Sequence, residues 1–437
     1  MRQVHAKVGP PRGFSHFAHL MPTTLIEYIA AALFAAALLH TFAAKVFEGL
    51  SKRHPNHAGL FHLLGEVEVV FGFWAILLIS VMALTNGSDK ALAYAESRQY
   101  TEPLFVFVTM VIAASKPVLY AVSAAIEFLV RFIPVKQSLA TAWLGLAAVP
   151  LFGSAITEPA AMTIAALMLS PQIFRIEIPE RLKYLAMGVL FVNVSIGGTL
   201  TSFAAPPVLM VASTWGWTSS FMMTTFGWKA ALAVIINATI AVMALKSYLT
   251  NTNVNAAPKI KILKVLITIH LFFLVGVVFL AHHPVAFLGL FLMFLGVAQA
   301  YERFQNPLII KEALLVAFFL AGLVVLGGMQ QWWLQPVLTG ISPEALFFGA
   351  VALTAVADNA ALTYLGSLIN GISDEAKYNL VAGAVAGGGL TIIANAPNPA
   401  GLALLKKGFT DTSVSAGQLF LGALLPTLIA MAAFFFF

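Results

Sequence analysis

The sequence has no cysteine, so disulfides, thiol catalysis and thiolate metal sites are excluded from the start. It is also poor in charge. Only 10% of its 437 residues are Asp, Glu, Lys or Arg, against roughly 25% in an average soluble chain. Hydrophobic residues make up 60%, against roughly 45–50%, an excess that no soluble packing absorbs. Other absences concern enzymes. There is no zinc-protease helix motif and no Ser/His/Asp arrangement in a recognisable context, and "GGGLT" at 387–391 lacks the lysine and spacing of a nucleotide loop. The chain therefore reads as a non-enzyme that carries no resident cofactor and hydrolyses no nucleotide.

What is there in abundance is apolar sequence. A membrane-spanning helix takes about 20 mostly apolar residues, and the pattern predicts an all-α polytopic membrane protein with ten spans, roughly 24–46, 61–84, 103–132, 183–212, 226–249, 262–281, 284–301, 309–332, 377–405 and 415–437. Two more apolar stretches, 139–169 and 344–371, are interrupted by polar and helix-breaking residues and read as re-entrant hairpins. Residues 1–22 read as a tail, because no small-residue cleavage site follows their short apolar pieces.

The net charge of +6 does not point to nucleic acid, since the basic residues sit in short loops between apolar runs. Positive-inside topology accounts for them. With 45–60 cytoplasmic and each hairpin returning to its own side, the outside holds only Arg2, Lys7, Arg12, Lys90, Arg98, Lys229 and Lys377 of the 24 Lys and Arg, and Lys116 stays inside a span. Had both hairpins crossed, the basic loops flanking each would fall on opposite faces.

A repeat emerges from the letters. "TEPAAMT" (157–163) matches "ADNAALT" (357–363), setting Glu158 against Asp358 and Thr163 against Thr363. Further on, "GGTLTSFAAPP" (197–207) matches "GGGLTIIANAP" (387–397), setting Gly198 against Gly388 and Thr201 against Thr391. The expected organisation is the tail over 1–22, a first repeat over 23–250 (hairpin 139–169, broken helix 183–212), a linker over 251–261, and a second repeat over 262–437 (hairpin 344–371, broken helix 377–405). Each repeat holds five spans and one hairpin. Five is odd, so the second enters the membrane inverted, as in many secondary transporters.

The second motif of each half breaks a span. Prolines remove a backbone donor and clash with the preceding turn, and glycines tolerate the unwound geometry. Irregular backbone at membrane depth persists only where protein buries it or it lines a cavity, and its freed carbonyls can hold a cation. A packing kink is the plainer alternative. Glu158 lies in the middle of an otherwise uncharged hairpin and Asp358 in one whose only other charge is Glu344 at its start; at such depth a carboxylate costs roughly 2.5–3.5 kcal/mol on insertion scales and marks a function. Together with Asn359, Thr163, Thr363, Thr201, Thr391, Asn395 and Asn398 they supply the hard oxygen donors that sodium needs. Because burial disfavours the charged form of a carboxylate, sodium and protons can compete for one such group. The alternative is a structural hydrogen bond at the hairpin tip. Lys116 in "AASKPVL" reads as a charge partner of Glu158, a proton carrier or a structural ion pair, while Glu66, Glu68, Glu27 and Glu127 read as solvated at the interface.

"VADNAALT" and "GGGLTIIANAPNPAG", in this order of hairpin and broken span, resemble the ion-transporter superfamily of arsenite permeases, dicarboxylate symporters and citrate transporters, and especially its Na+/H+ antiporters, over roughly 25–437. The resemblance implies a multi-pass protein of the bacterial inner membrane, embedded in lipid, with a dimerising scaffold and a mobile transport domain. It also implies exchange of cytoplasmic sodium for external protons at Asp358, Asn359, Thr391, Asn395 and Asn398 from the second half and Glu158, Thr163 and Thr201 from the first. The paired Ser-Asn-Thr tips of the dicarboxylate branch are absent, and Glu158 is followed by Pro159 where Asp358 is followed by Asn359. An organic-acid or anion carrier of the same fold is the alternative, one that two carboxylates disfavour. An intramembrane aspartyl protease, which also uses two acids, would need them in facing helix motifs rather than in repeated tips.

Overall fold

The computed structural model describes residues 24–249 and 262–437. The expected tail (1–22) and linker (251–261) lie outside the described residues. Every regular element among those described is helical. Several helix starts are written in the local sequence: Ser342, Ser373 and Ser415 each accept a backbone N–H three residues on, the N-cap role that a serine hydroxyl fills well.

Among the described residues five single helices are long and apolar enough to cross a membrane: Glu68–Asn86, Glu180–Leu200, Ser219–Leu249, Ile310–Gly327 and Ala416–Phe436. Large apolar side chains such as Phe279 and Val285 face outward on the surface, as a lipid solvent requires. Three of the ten expected spans hold shorter helices. Leu25–Thr41, Lys264–Phe279 and Pro284–Ala300 hold 16 or 17 residues, and at 1.5 Å per residue they reach only about 25 Å. The stretch 103–132 is not one helix. Thr101–Ala113 and Lys116–Val130 meet at 67°, because Pro117 has no N–H for the Ala113 carbonyl and its ring clashes there.

The first hairpin has three helices rather than two: Gln137–Leu146, Ala148–Ile156 and Glu158–Leu169. The extra bend of 42° at Ala147 follows from Pro150, which leaves the Leu146 carbonyl without a helical donor. The Asn193 amide donates to that carbonyl at 2.8 Å. The second hairpin comprises Pro343–Thr354 and Asn359–Ser367.

Both later spans break where the sequence indicated. Glu180–Gly197 passes through a 3-10 turn, Gly198–Leu200, and resumes at Pro206–Trp215; Asp374–Gly387 passes through Ile392–Ala394 and resumes at Asn398–Leu405. From Ala186 to Thr199 every residue is buried, so Glu180–Gly197 is the core helix, packed on Ala416–Phe436, Trp228–Leu249 and Ala148–Ile156. Across the halves the partners are exchanged. Glu158–Leu169 packs on Asn398–Leu405, and Asn359–Ser367 packs on Pro206–Trp215.

Candidate functional site

The hairpin tips meet the broken helices through two matching close approaches. A Cβ added to Gly198 would lie 2.6 Å from Glu158 Oε1, and one added to Gly388 would collide with Ser195 Oγ and lie 2.8 Å from Asn359 Nδ2. Only glycine lets the tips come so near. One residue earlier, Gly197 abuts the Pro150 carbonyl and Gly387 abuts that of Val351. Thr201 Oγ1 donates to the Ser154 carbonyl at 2.7 Å, and Thr391 Oγ1 donates to that of Ala355 at 2.9 Å.

These contacts correct the alignment of the tips. Pro150 corresponds to Val351, Ser154 to Ala355 and Glu158 to Asn359, so the spatial register runs one residue beyond the letter match. Asp358 is the counterpart of Thr157. The helix starts agree: Glu158 and Asn359 open their helices, with Thr157 and Asp358 as the caps.

The caps differ in chemistry. Asp358 Oδ1 accepts from the N–H groups of Ala360 and Ala361 at 2.8 and 3.2 Å, satisfying donors that a helix start otherwise leaves bare. Thr157 makes no such bond and holds φ at 93°. For a β-branched residue that conformation costs on the order of 1–3 kcal/mol and is typical of functional sites.

Glu158 is fully buried. Its Oε2 accepts from Asn395 Nδ2 at 2.8 Å, a bond between the first hairpin and the second broken helix, while Oε1 has no hydrogen-bond partner. Thr157 Oγ1 and the Oδ1 atoms of Asn359, Asn395 and Asn398 are likewise buried and unbonded. The amide orientations are fixed by their donors, since Asn395 Nδ2 serves Glu158 and Asn398 Nδ2 serves the Gly388 and Thr391 carbonyls at 2.8 and 2.9 Å. A buried acceptor left unpaired costs about 1–3 kcal/mol. Hard cations take just such oxygen donors, so each of the five atoms has the chemistry of a cation ligand. The Asp358 carboxylate is half-buried. Among the described residues no group of three or more His, Cys, Asp or Glu could hold a metal ion.

The expected residues divide accordingly. Glu158 and Asn395 come together directly, and Asn359 and Asn398 flank Gly388. Thr201 and Thr391 pin the broken helices to the hairpins. Thr163 and Thr363 donate to the Pro159 and Ala360 carbonyls of their own helices, at 2.9 and 3.2 Å. Lys116 makes no ion pair with Glu158 among the described residues; it opens the second helix of the bent pair instead. Glu68 lies in the first turn of its helix and is half-buried. Thr157, Ser154 and Ser195 were missed. The only sequence signal for Ser195, which donates to the Val385 carbonyl at 2.8 Å, was its place just before the glycines of the first break.

An all-helical membrane protein with a buried acid at paired breaks belongs to the class of membrane transporters. The chain belongs to the family described as Putative Na+/H+ antiporter, which it matches over residues 25–437. No curated protein matches the sequence.

Proposed function

We propose that the chain is a sodium/proton antiporter of the bacterial inner membrane, exchanging cytoplasmic sodium for external protons by alternating access. The observation that carries the reading is Glu158: a fully buried carboxylate with one oxygen bonded to Asn395 and the other unbonded. Ionised, it joins the Asn395, Asn359 and Asn398 carbonyl oxygens and the Thr157 hydroxyl in holding Na+. Protonated, it is neutral and gives the ion up. One proton then replaces one sodium charge at the same oxygen. Asp358 adds negative field beside it and holds the second tip in shape.

On this reading the halves are inverted repeats, the hairpins are re-entrant, and the fold is that of the arsenite permease and dicarboxylate symporter superfamily, assembled as a homodimer. The matching contacts at Gly198 and Gly388 support a common origin of the halves. The test is sodium-driven pH change in everted vesicles. Wild type responds and Glu158→Gln does not; an unchanged response in Glu158→Gln sinks the assignment.

A further inference from the structure

A cavity of about 510 Å³ opens between the start of Thr101–Ala113, the end of Pro206–Trp215, the Ser219–Met222 turn and the end of Lys264–Phe279. At roughly 30 Å³ per water it has room for a hydrated ion. The first broken helix lends Ser202 and Phe203 to its lining, directly after Thr201 and four residues after the glycine that touches Glu158. There Ser202 Oγ and Ser219 Oγ share a hydrogen bond of 3.1 Å, and the Phe203 ring stands edge-on to Phe105 at 6.3 Å. Beneath, a π-helical turn, Met223–Gly227, abuts the Gly198–Leu200 turn. Such turns are rare and concentrate at functional sites.

The lining is selective in charge. Glu102 is its one carboxylate, fixed by the Ser213 hydroxyl, which donates to Oε1 at 2.8 Å; no lysine or arginine lines it, and His282 is its only other titratable side chain. The opposite end of the core helix is hydrogen-bonded to the second half. Lys183 Nζ donates to the Gly408 carbonyl at 2.6 Å, Thr410 N to Glu180 Oε1 at 3.0 Å and Ser415 N to Tyr184 Oη at 3.0 Å. Across about 27 Å of helix, one end is fastened to the second half and the other leads to the cavity lining.

We propose that this cavity is the antechamber through which the transported cation reaches Glu158, with Glu102 selecting positive charge and the Ser202–Ser219 bond, capped by Phe203, closing it from the site. The proposal rests on Glu158 being the ion site. Because the chain lacks cysteine, Ser202→Cys introduces a single thiol. Its rate of modification by a trimethylammonium-bearing methanethiosulfonate, in which the thiolate forms a disulfide and methanesulfinate leaves, is compared with that of Thr427→Cys, a buried position on another helix. Ser202→Cys reacts about ten-fold faster or more. Adding Glu102→Gln slows the cationic reagent about three-fold and leaves neutral methyl methanethiosulfonate unchanged.

Modification of Ser202→Cys no faster than of Thr427→Cys overturns the antechamber, and equal slowing of both reagents by Glu102→Gln overturns the charge selection. Should Ser202→Cys not purify as folded protein, Thr101→Cys reads the same lining. Rates are measured on purified protein without an ion gradient, so they are independent of exchange. Fast, charge-selective labelling of a chain that moves no sodium supports a chamber for another cation and strikes the antiport reading alone. Slow labelling with exchange intact strikes the antechamber alone.

Discussion

The tip at Thr157–Glu158 and the tip at Asp358–Asn359 occupy matching places, yet they divide the work differently. In the first the acid opens the helix, is sealed from solvent and keeps one oxygen unbonded, above a strained and uncapped Thr157. In the second the acid sits one residue earlier and is spent on capping, and an amide takes the inner position. Two matching tips thus place an acid at the inner position in one and an amide in the other. A site with two equivalent acids would hold two like charges close together, at a large electrostatic cost in a low-dielectric interior.

The largest expected effect separates the two acids. Glu158→Gln brings exchange to background while thermal stability holds or rises, because a buried, half-bonded carboxylate is replaced by a neutral isostere; a stable protein with normal exchange would erase the distinction. Asn395→Ala comes next. It leaves Glu158 Oε2 without its donor, so calorimetry should record a loss of about 1–3 kcal/mol alongside a sodium KM raised about ten-fold, equivalent to ~1.4 kcal/mol.

Asp358 is then examined with two substitutions. Asn is as good a cap as Asp, so Asp358→Asn keeps the fold and isolates the charge, raising sodium KM by less than the Asn395 change does. Asp358→Ala additionally loses about 1 kcal/mol of stability. Equal stability of the two variants would show that the capping bonds matter little. The smallest effect is expected at Thr163→Val and Thr363→Val. Their hydroxyls already serve carbonyls of their own helices, and sodium KM should move less than about two-fold, ~0.4 kcal/mol; a ten-fold change at either would return that threonine to the ion.

Much of this was legible in the letters because breaks are local chemistry. Pro206 and Pro207, Pro397, and the glycine pairs mark where each helix must stop, and two acids in uncharged apolar sequence declare themselves. The bend at Pro117 is equally local, but the apolar run continues through it. The register of the tips was not legible. "TEPAAMT" aligns best with "ADNAALT" when acid lies over acid, whereas the contacts of Pro150, Ser154 and Glu158 are set by packing on helices far away in sequence. Nor does anything near Glu158 announce Asn395, which arrives from 237 residues away, or Ser195, whose hydroxyl is recruited by a backbone carbonyl of the other half.

The exchange of partners between halves constrains how the protein can move. Glu158–Leu169 is seated on Asn398–Leu405, Asn359–Ser367 on Pro206–Trp215, and the Asn395–Glu158 bond crosses between them. Pulling the halves apart would strip a buried carboxylate of its donor as well as both apolar seats. Any displacement of this region that keeps these contacts carries the four segments together as one piece, with the slippage at its outer boundary against the remaining helices.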